Sequence, residues 1–175
     1  ADNSYSGHGG TTGRGNDLTL NINPSLGTEI LSGLNVFAGA HQTQRNVFTD
    51  NNLYEGVAGI TLDIGPISLG YANSGVSTGN ADGSEVDWYK NHMYGVSFNV
   101  NDDLSVSYGY HDSRQGFVKP AQVQSVELDM ESWQIAYSIG GASIRYADTS
   151  VDNAAYQTAS AYDISGTVLS VSLAF

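Results

Sequence analysis

The 175-residue chain contains no cysteine, only three prolines, and six basic residues against eighteen acidic ones. Without cysteine, the chain can form neither disulfides nor thiolate metal sites. The formal net charge of −12 argues against a nucleic-acid partner, because binding to phosphates requires basic side chains. The sequence also has no uninterrupted apolar run of about 18 residues, so it predicts no transmembrane helix.

What the sequence does contain is a strict alternation of large apolar and small polar residues. At the C-terminus, Leu169, Val171, Leu173 and Phe175 alternate with serine and alanine. This period of two predicts a strand with one apolar face. A closing phenylalanine suits a barrel whose outer face meets lipid, because aromatic rings are favourable at the membrane interface.

The same alternation recurs along the chain and predicts an all-β fold with about nine strands and almost no helix. Residues 1–16 are rich in Gly, Ser and Thr, and they are predicted to be a flexible external segment or loop. Residues 17–175 are predicted to carry the barrel strands. We expect these strands near residues 18–23, 33–41, 53–63, 67–72, 94–99, 104–111, 126–137, 143–147 and 167–175. The apolar positions change parity between Met130 and Trp133, which predicts a β-bulge near residues 131–132.

The connections between these strands alternate in length. Short turns are predicted near residues 24–28, 64–66, 101–103 and 140–141, and long loops near residues 41–52, 74–90, 112–124 and 149–161. Outer-membrane barrels have short periplasmic turns and long external loops, so the pattern favours an antiparallel transmembrane β-barrel. A soluble, secreted β-sandwich is the alternative, because its two outer surfaces would also be rich in Ser, Gly and Asn.

The predicted strand number bears on whether the barrel can close. Single-chain bacterial barrels have an even number of strands, whose first and last members meet antiparallel, and nine strands cannot close in that way. We therefore expect the chain to be the C-terminal part of a porin-like barrel with about sixteen strands. A complete eight-stranded barrel, with one strand falsely predicted, is the alternative.

Residues 94–110 and 166–175 resemble the general diffusion porins of Gram-negative bacteria. The resemblance implies a sixteen-stranded homotrimeric barrel in the bacterial outer membrane that passes small hydrophilic solutes and ions by passive diffusion. It implies no enzymatic activity and no cofactor, and it makes Phe175 a signal for outer-membrane assembly. Members of the family are nearly twice this long, so the acidic residues of their constriction loop are not carried over. A small eight-stranded barrel with a structural or surface-binding role is the other membrane hypothesis.

Arg145 is the most informative charge for a channel, because it lies within a predicted strand on the small polar face. A lumen-facing arginine opposite loop carboxylates would bias the passage of charged solutes. Facing lipid at mid-depth, it would cost about 2–4 kcal/mol. A position at the rim, paired with Asp148, is the alternative. The other candidates for the pore lining share its predicted face: His41, His111, Glu55, Asn35 and Asn99.

Seven aromatic residues have the opposite parity and are predicted to form the aromatic girdles of a membrane barrel: Tyr54, Tyr94, Tyr108, Tyr110, Trp133, Tyr137 and Tyr146. Cross-strand packing in a soluble sheet is the alternative interpretation.

The sequence gives only weak signals for metal binding or catalysis. Asp82, Glu85 and Asp87 are the only calcium candidates, and their spacing lacks the twelve-residue calcium-loop pattern, so solvated loop acids are favoured. The four histidines show no zinc spacing. Residues 75–79 match G-x-S-x-G but are followed by a loop rather than a helix, so no catalytic residue is predicted.

Overall fold

Nine antiparallel strands make up almost all of the computed structural model, which describes residues 15–23, 33–44, 52–80, 85–119 and 125–173. The strands are β1 (Gly15–Ile22), β2 (Gly33–Thr43), β3 (Leu53–Ile64), β4 (Ile67–Ser77), β5 (Val86–Asn99), β6 (Leu104–Phe117), β7 (Glu127–Ile139), β8 (Ala142–Asp152) and β9 (Ile164–Leu173). Two short 3₁₀ turns, Ala154–Tyr156 and Ser160–Tyr162, lie between β8 and β9. None of these described segments is a helix long and apolar enough to cross a membrane.

The strands form one sheet in the order of the chain, and each strand pairs antiparallel with the next. The prediction of an all-β fold with about nine strands is confirmed. All nine predicted strands are present among the described residues, so none of them is the falsely predicted strand that the eight-stranded alternative requires. Within the part of the chain that the structure describes, the sheet is open, and β1 and β9 each have one edge without a paired strand.

The connections fall into two groups at opposite ends of the sheet. The short connections, residues 65–66, 100–103 and 140–141, lie at one end of the sheet, the short-turn end. The strand ends that border the β2–β3, β4–β5, β6–β7 and β8–β9 connections lie at the other, the long-loop end. Gly140 and Gly141 both have positive φ angles, 53° and 87°, which suits a two-residue hairpin turn. The fourth predicted short turn, near 24–28, lies outside the described residues, and β1 and β2 are separated by residues 23–32.

Several strands extend well into the predicted long loops. β5 begins at Val86 and β6 ends at Phe117, although loops were predicted over residues 74–90 and 112–124. In these outer halves both faces carry polar side chains, as in Lys90, Asn91 and His92, so the apolar alternation that marks a strand disappears. The backbone pairing nevertheless continues. β1 begins at Gly15, and residues 1–14 of the predicted flexible segment 1–16 lie outside the described residues, so that prediction stays untested.

The predicted bulge near residues 131–132 is wrong. β7 pairs with β6 and with β8 in continuous register over this region. The parity of the apolar residues changes there because Glu131 shares a face with Trp133, while Met130 lies on the opposite face. The side-chain chemistry changes along one face, and the backbone register does not slip. The sheet does have a register shift between Val86 and Trp88.

The described residues contain no buried hydrophobic side chain. The apolar residues of β9 illustrate this: Leu169, Val171 and Leu173 are 68%, 61% and 60% exposed. A β-sandwich would bury such residues between two sheets. In the part of the chain that the structure describes there is one sheet only, and its apolar residues have no second layer to pack against.

Candidate functional site

The strand register divides the side chains between two faces, because cross-strand partners point to the same side of the sheet. One side, the apolar face, is defined by Leu20, Val36, Ile60, Leu69, Val96, Val106, Ile135, Ile144 and Val171. The other side, the polar face, is defined by Asn21, Asn35, Thr61, Ser68, Ser97, Ser107, Gln134, Ser143 and Ser170.

In the middle of the sheet, the apolar face is the more exposed one. On β5, Tyr94, Val96 and Phe98 are exposed, whereas Met93 and Ser97 on the polar face are half-buried. A soluble sheet with one solvated face has the reverse arrangement, with its apolar side packed on a core. The distribution of exposure is therefore inverted relative to that of a soluble protein.

A row of aromatic rings crosses the apolar face. Tyr71 is the cross-strand partner of Tyr94, whose ring stacks on that of Tyr110 with centroids 4.9 Å apart. The rings of Tyr108 and Trp133, also cross-strand partners, have centroids 4.5 Å apart. The central strands thus carry a row of aromatic residues on this face, in which two pairs of rings are in direct contact.

The row does not follow a single line of register. The line through Tyr71, Tyr94 and Tyr110 reaches β8 at Ser150, whereas the aromatic residue of β8 is Tyr146, four residues nearer the short-turn end. The aromatic position therefore shifts by about one residue per strand between β4 and β8. Aromatic residues at a constant height on a barrel would show the same shift from strand to strand, because barrel strands are tilted and staggered.

All seven predicted girdle residues lie on the apolar face. Tyr94, Tyr108, Tyr110, Trp133 and Tyr146 belong to the aromatic row. Two others stand apart from it. Tyr54 lies near the long-loop end, where its hydroxyl accepts a hydrogen bond of 3.3 Å from Gln42 Nε2, and Tyr137 lies near the short-turn end. Tyr71 was missing from the predicted set, although its parity identified it equally well.

Beyond the aromatic row, toward the long-loop end, the apolar face becomes charged. This charged end is formed by Lys90, His92, Asp112, Arg114, Glu127, Asp129, Glu131 and Asp148. His92 Nδ1 lies 3.3 Å from Asp112 Oδ1. The Tyr108 hydroxyl donates to Glu131 Oε2 at 3.2 Å, and the Tyr110 hydroxyl donates to Asp129 Oδ1. The tyrosines therefore have their rings among apolar side chains and their hydroxyls toward the charged end.

The six candidates for the pore lining all lie on the polar face, as their parity predicts. They are spread over the sheet rather than gathered at one point: Asn35 and His41 on β2, Glu55 on β3, Asn99 on β5, His111 on β6 and Arg145 on β8. His41 and Glu55 are cross-strand partners. His111 has Met93 and Met130 as its partners, so the polar face is less uniformly polar at this position.

Arg145 is exposed and lies between Ala136 and Ser170 on the polar face. Asp148, its predicted alternative partner, lies on the apolar face and accepts a hydrogen bond of 2.9 Å from Thr167 Oγ1. Because successive side chains of a strand point to opposite sides, residues three apart do not share a face. The structure therefore does not bring Arg145 and Asp148 together.

The polar face also has a large side chain at Phe37, whose ring lies over its cross-strand partner Gly59 and leaves no room there for a Cβ atom. A glycine opposite an aromatic ring is a common way to accommodate the ring on a crowded sheet surface.

Near the long-loop end, sequence reasoning missed a cluster on the polar face. The Tyr156 hydroxyl, from the connection between β8 and β9, lies 2.6 Å from Ser113 Oγ on β6. The ring of Tyr156 also contacts that of Tyr89 on β5, with centroids 5.7 Å apart. A single tyrosine in a polar loop was the only available signal, because loops have no periodicity that assigns a side chain to a face.

The described residues contain no group of three His, Cys, Asp or Glu side chains that could hold a metal ion. Of the calcium candidates, Asp82 lies outside the described residues, and Glu85 and Asp87 stand at the beginning of β5. The predicted assembly signal, Phe175, also lies outside the described residues.

A scan against protein-family models, a search of curated proteins and a search of solved structures find no match to this chain. The resemblance to diffusion porins, and the channel function it implies, therefore stay predictions that depend on the two faces of the sheet.

Proposed function

We propose that the chain forms part of the wall of an outer-membrane β-barrel through which small hydrophilic solutes diffuse passively. The apolar face contacts lipid, and the polar face lines a water-filled lumen. One observation carries the proposal. The described residues bury no hydrophobic side chain, yet they present a broad exposed apolar face that an aromatic row separates from a charged end.

The cost of such a face in water supports lipid as its environment. Burying a leucine, isoleucine or valine side chain contributes about 1.5–3 kcal/mol. An extended exposed apolar surface in a soluble monomer would promote association. Hydrocarbon removes the cost, and the tyrosines of the aromatic row suit the interface, where a ring contacts lipid and a hydroxyl contacts polar groups.

The dimensions are compatible with the hydrocarbon region. The apolar face of β6 extends from Leu104 to Tyr110, about 20 Å along the strand at the usual rise per residue. Strands β4 to β8, with 11–14 residues, reach or exceed the roughly 9–11 residues that a tilted strand needs to cross. Their outer portions would carry the charged end beyond the lipid.

The open edges require additional strands under this proposal. Unpaired backbone groups are not tolerated in contact with hydrocarbon, so β1 and β9 need hydrogen-bonding partners. A barrel of about sixteen strands, with the described nine as its C-terminal part, supplies these partners and leaves room for an aqueous channel. A homotrimer, as the resemblance implies, is part of the same proposal.

Reconstitution of the protein in planar lipid bilayers tests the function. Stepwise increases in conductance that scale with salt concentration are expected. A protein that is extracted from cells without detergent, or that inserts without conducting, would refute the channel.

The mass of the mature protein in purified outer membranes tests the strand number. A species near twice 18.5 kDa is expected for a sixteen-stranded barrel. A conducting species of 18.5 kDa would contradict the sixteen-stranded proposal and leave the channel function intact.

A further inference from the structure

The polar face carries a line of three side chains that differs chemically from the serine, asparagine and glycine around it. Met93 on β5, His111 on β6 and Met130 on β7 are direct cross-strand partners, with the histidine between the two methionines. All three side chains are half-buried. The chain contains only two methionines. Both of them therefore lie beside the same histidine, although they are far apart in the sequence.

The side chains that continue this line offer no oxygen atom. The cross-strand partner beyond Met93 is Ala72 on β4, and the partner beyond Met130 is Val151 on β8. An ordered water needs two to four polar partners, which this apolar line does not supply. The surroundings of His111 along the register are thus thioether and hydrocarbon.

Two glycines leave room beside the line on its short-turn side. Gly95 and Gly109 are cross-strand partners on the polar face, two residues from Met93 and His111 along their strands. A Cβ atom added at Gly109 would have no heavy atom of another described residue within 4 Å, apart from its chain neighbours. The imidazole and the thioethers therefore have open space next to them.

The imidazole of His111 has a ring nitrogen without a partner. Its Nε2 atom is buried from solvent and makes no hydrogen bond to any of the residues that the structure describes. Buried polar atoms are nearly always satisfied, and an exception calls for an explanation such as a bound ion. On the long-loop side, the adjacent polar side chains are already engaged, since Ser113 Oγ donates to Asn91 Oδ1 at 2.5 Å. A neutral imidazole nitrogen is a common metal ligand.

The donor set determines which metal ion fits. Thioether sulfur is a soft ligand that selects Cu(I), and imidazole also suits copper. Ca²⁺ and Mg²⁺ take oxygen ligands, and zinc sites combine several Cys, His or carboxylate ligands, so this line suits neither class. Cross-strand Cβ atoms are about 4.5–5.5 Å apart. The flexible methionine side chain can turn its sulfur toward an ion held by the histidine between them.

We propose that Met93, His111 and Met130 form a binding site for a soft monovalent cation, Cu(I) or Ag(I), on the polar face of the sheet. The two thioether sulfurs and His111 Nε2 are its ligands. The inference goes beyond the proposed channel and does not depend on conduction, because it requires only the pairing of β5, β6 and β7. In a conducting barrel, the site would hold a soft cation on the wall of the lumen.

Methionine-methyl NMR of the full-length protein in detergent micelles tests the site, with Ag(I) as the probe. The ¹³C-methyl signals of Met93 and Met130 are assigned with the Met93→Leu and Met130→Leu variants. Ag(I) should shift both signals and saturate at one equivalent, and Ca²⁺ should shift neither. Cu(I), added anaerobically with a reductant, should shift the same two signals. A shift of only one signal, or of neither, on addition of Ag(I) would overturn the three-ligand site.

Equilibrium dialysis with Ag(I) measures the contribution of each ligand. The double variant Met93→Leu/Met130→Leu keeps apolar side chains of similar volume and removes both sulfurs. It should bind Ag(I) at least about tenfold more weakly, since losing even an outer partner of a metal ligand costs that much. His111→Gln should have a similar effect. The control is His92→Gln, because His92 is exposed on the apolar face, and this variant should bind like the wild type. Wild-type affinity in the double variant or in His111→Gln would refute the assignment of the ligands.

The site and the channel fail in different ways. A protein that conducts but binds no Ag(I) through these residues overturns the site alone. A protein that binds Ag(I) through them without conducting supports the site and refutes the channel. If a variant does not assemble, as judged by its circular dichroism, the NMR titration of the wild-type protein still decides whether both methionines bind the ion.

Discussion

On β5, the side chains of Tyr94, Val96 and Phe98 lie on one side of the sheet and those of Met93 and Ser97 on the other. The two sets share one backbone and one pattern of hydrogen bonds. They differ in the environment that their chemistry tolerates: the first suits hydrocarbon, and the second suits water or close contact with a folded-back loop. A single sheet can thus separate two solvents without a core of its own.

A second contrast lies within the apolar face. Val106 and Tyr108 are followed on the same side of β6 by Asp112 and Arg114. The change from apolar to charged occurs over four residues, at the aromatic row, and neighbouring strands repeat it. The proposed contact of this face with lipid depends on this boundary between its apolar and charged parts.

The largest expected effect comes from placing the same charge on the two faces. Val96→Arg puts a guanidinium on the apolar face, and it should lower the free energy of unfolding in lipid vesicles by about 2–4 kcal/mol. Ser97→Arg, the adjacent residue on the polar face, is the matched control and should cost much less. Urea titration followed by tryptophan fluorescence measures both. Equal costs would contradict the assignment of the apolar face to lipid.

A smaller effect is expected from the aromatic row itself. Tyr108→Ala and Trp133→Ala should show a coupling energy of about 0.5–1.5 kcal/mol in a double-mutant cycle, because their rings are in direct contact. Tyr71 and Trp133, three strands apart, form the control cycle and should be additive. A coupling of zero between Tyr108 and Trp133 would show that the row is a set of independent residues.

The smallest effect on stability should come from Arg145. Because its side chain is exposed, Arg145→Glu should change the free energy of unfolding by no more than about 0.5 kcal/mol. It should nevertheless shift the reversal potential under a salt gradient toward greater cation preference, since the polar face gains negative charge. Lys90→Glu makes the same change of charge on the apolar face. A larger shift with Lys90→Glu would contradict the assignment of the polar face to the lumen.

The sequence was a good guide where one face of a strand is apolar. The alternation around Leu69, Val96 and Val106 located the inner parts of β4, β5 and β6, and it divided the candidate residues between the two sides of the sheet as the strand register does. It failed in the outer halves of β5 and β6, where residues such as Lys90 and Asn91 are polar on both sides and resemble a loop. It also failed at residues 131–132, where a charged end was interpreted as a bulge.

Alternation of residue type was enough to determine that this chain is built of antiparallel strands with chemically distinct sides, because the period of a strand is a local property of the backbone. Only the tertiary structure decided that the strands form one open sheet in continuous register, that the aromatic residues align across it, and that Tyr156 reaches Ser113. Those contacts join residues far apart in the chain, and their energies depend on register and loop path rather than on any local pattern.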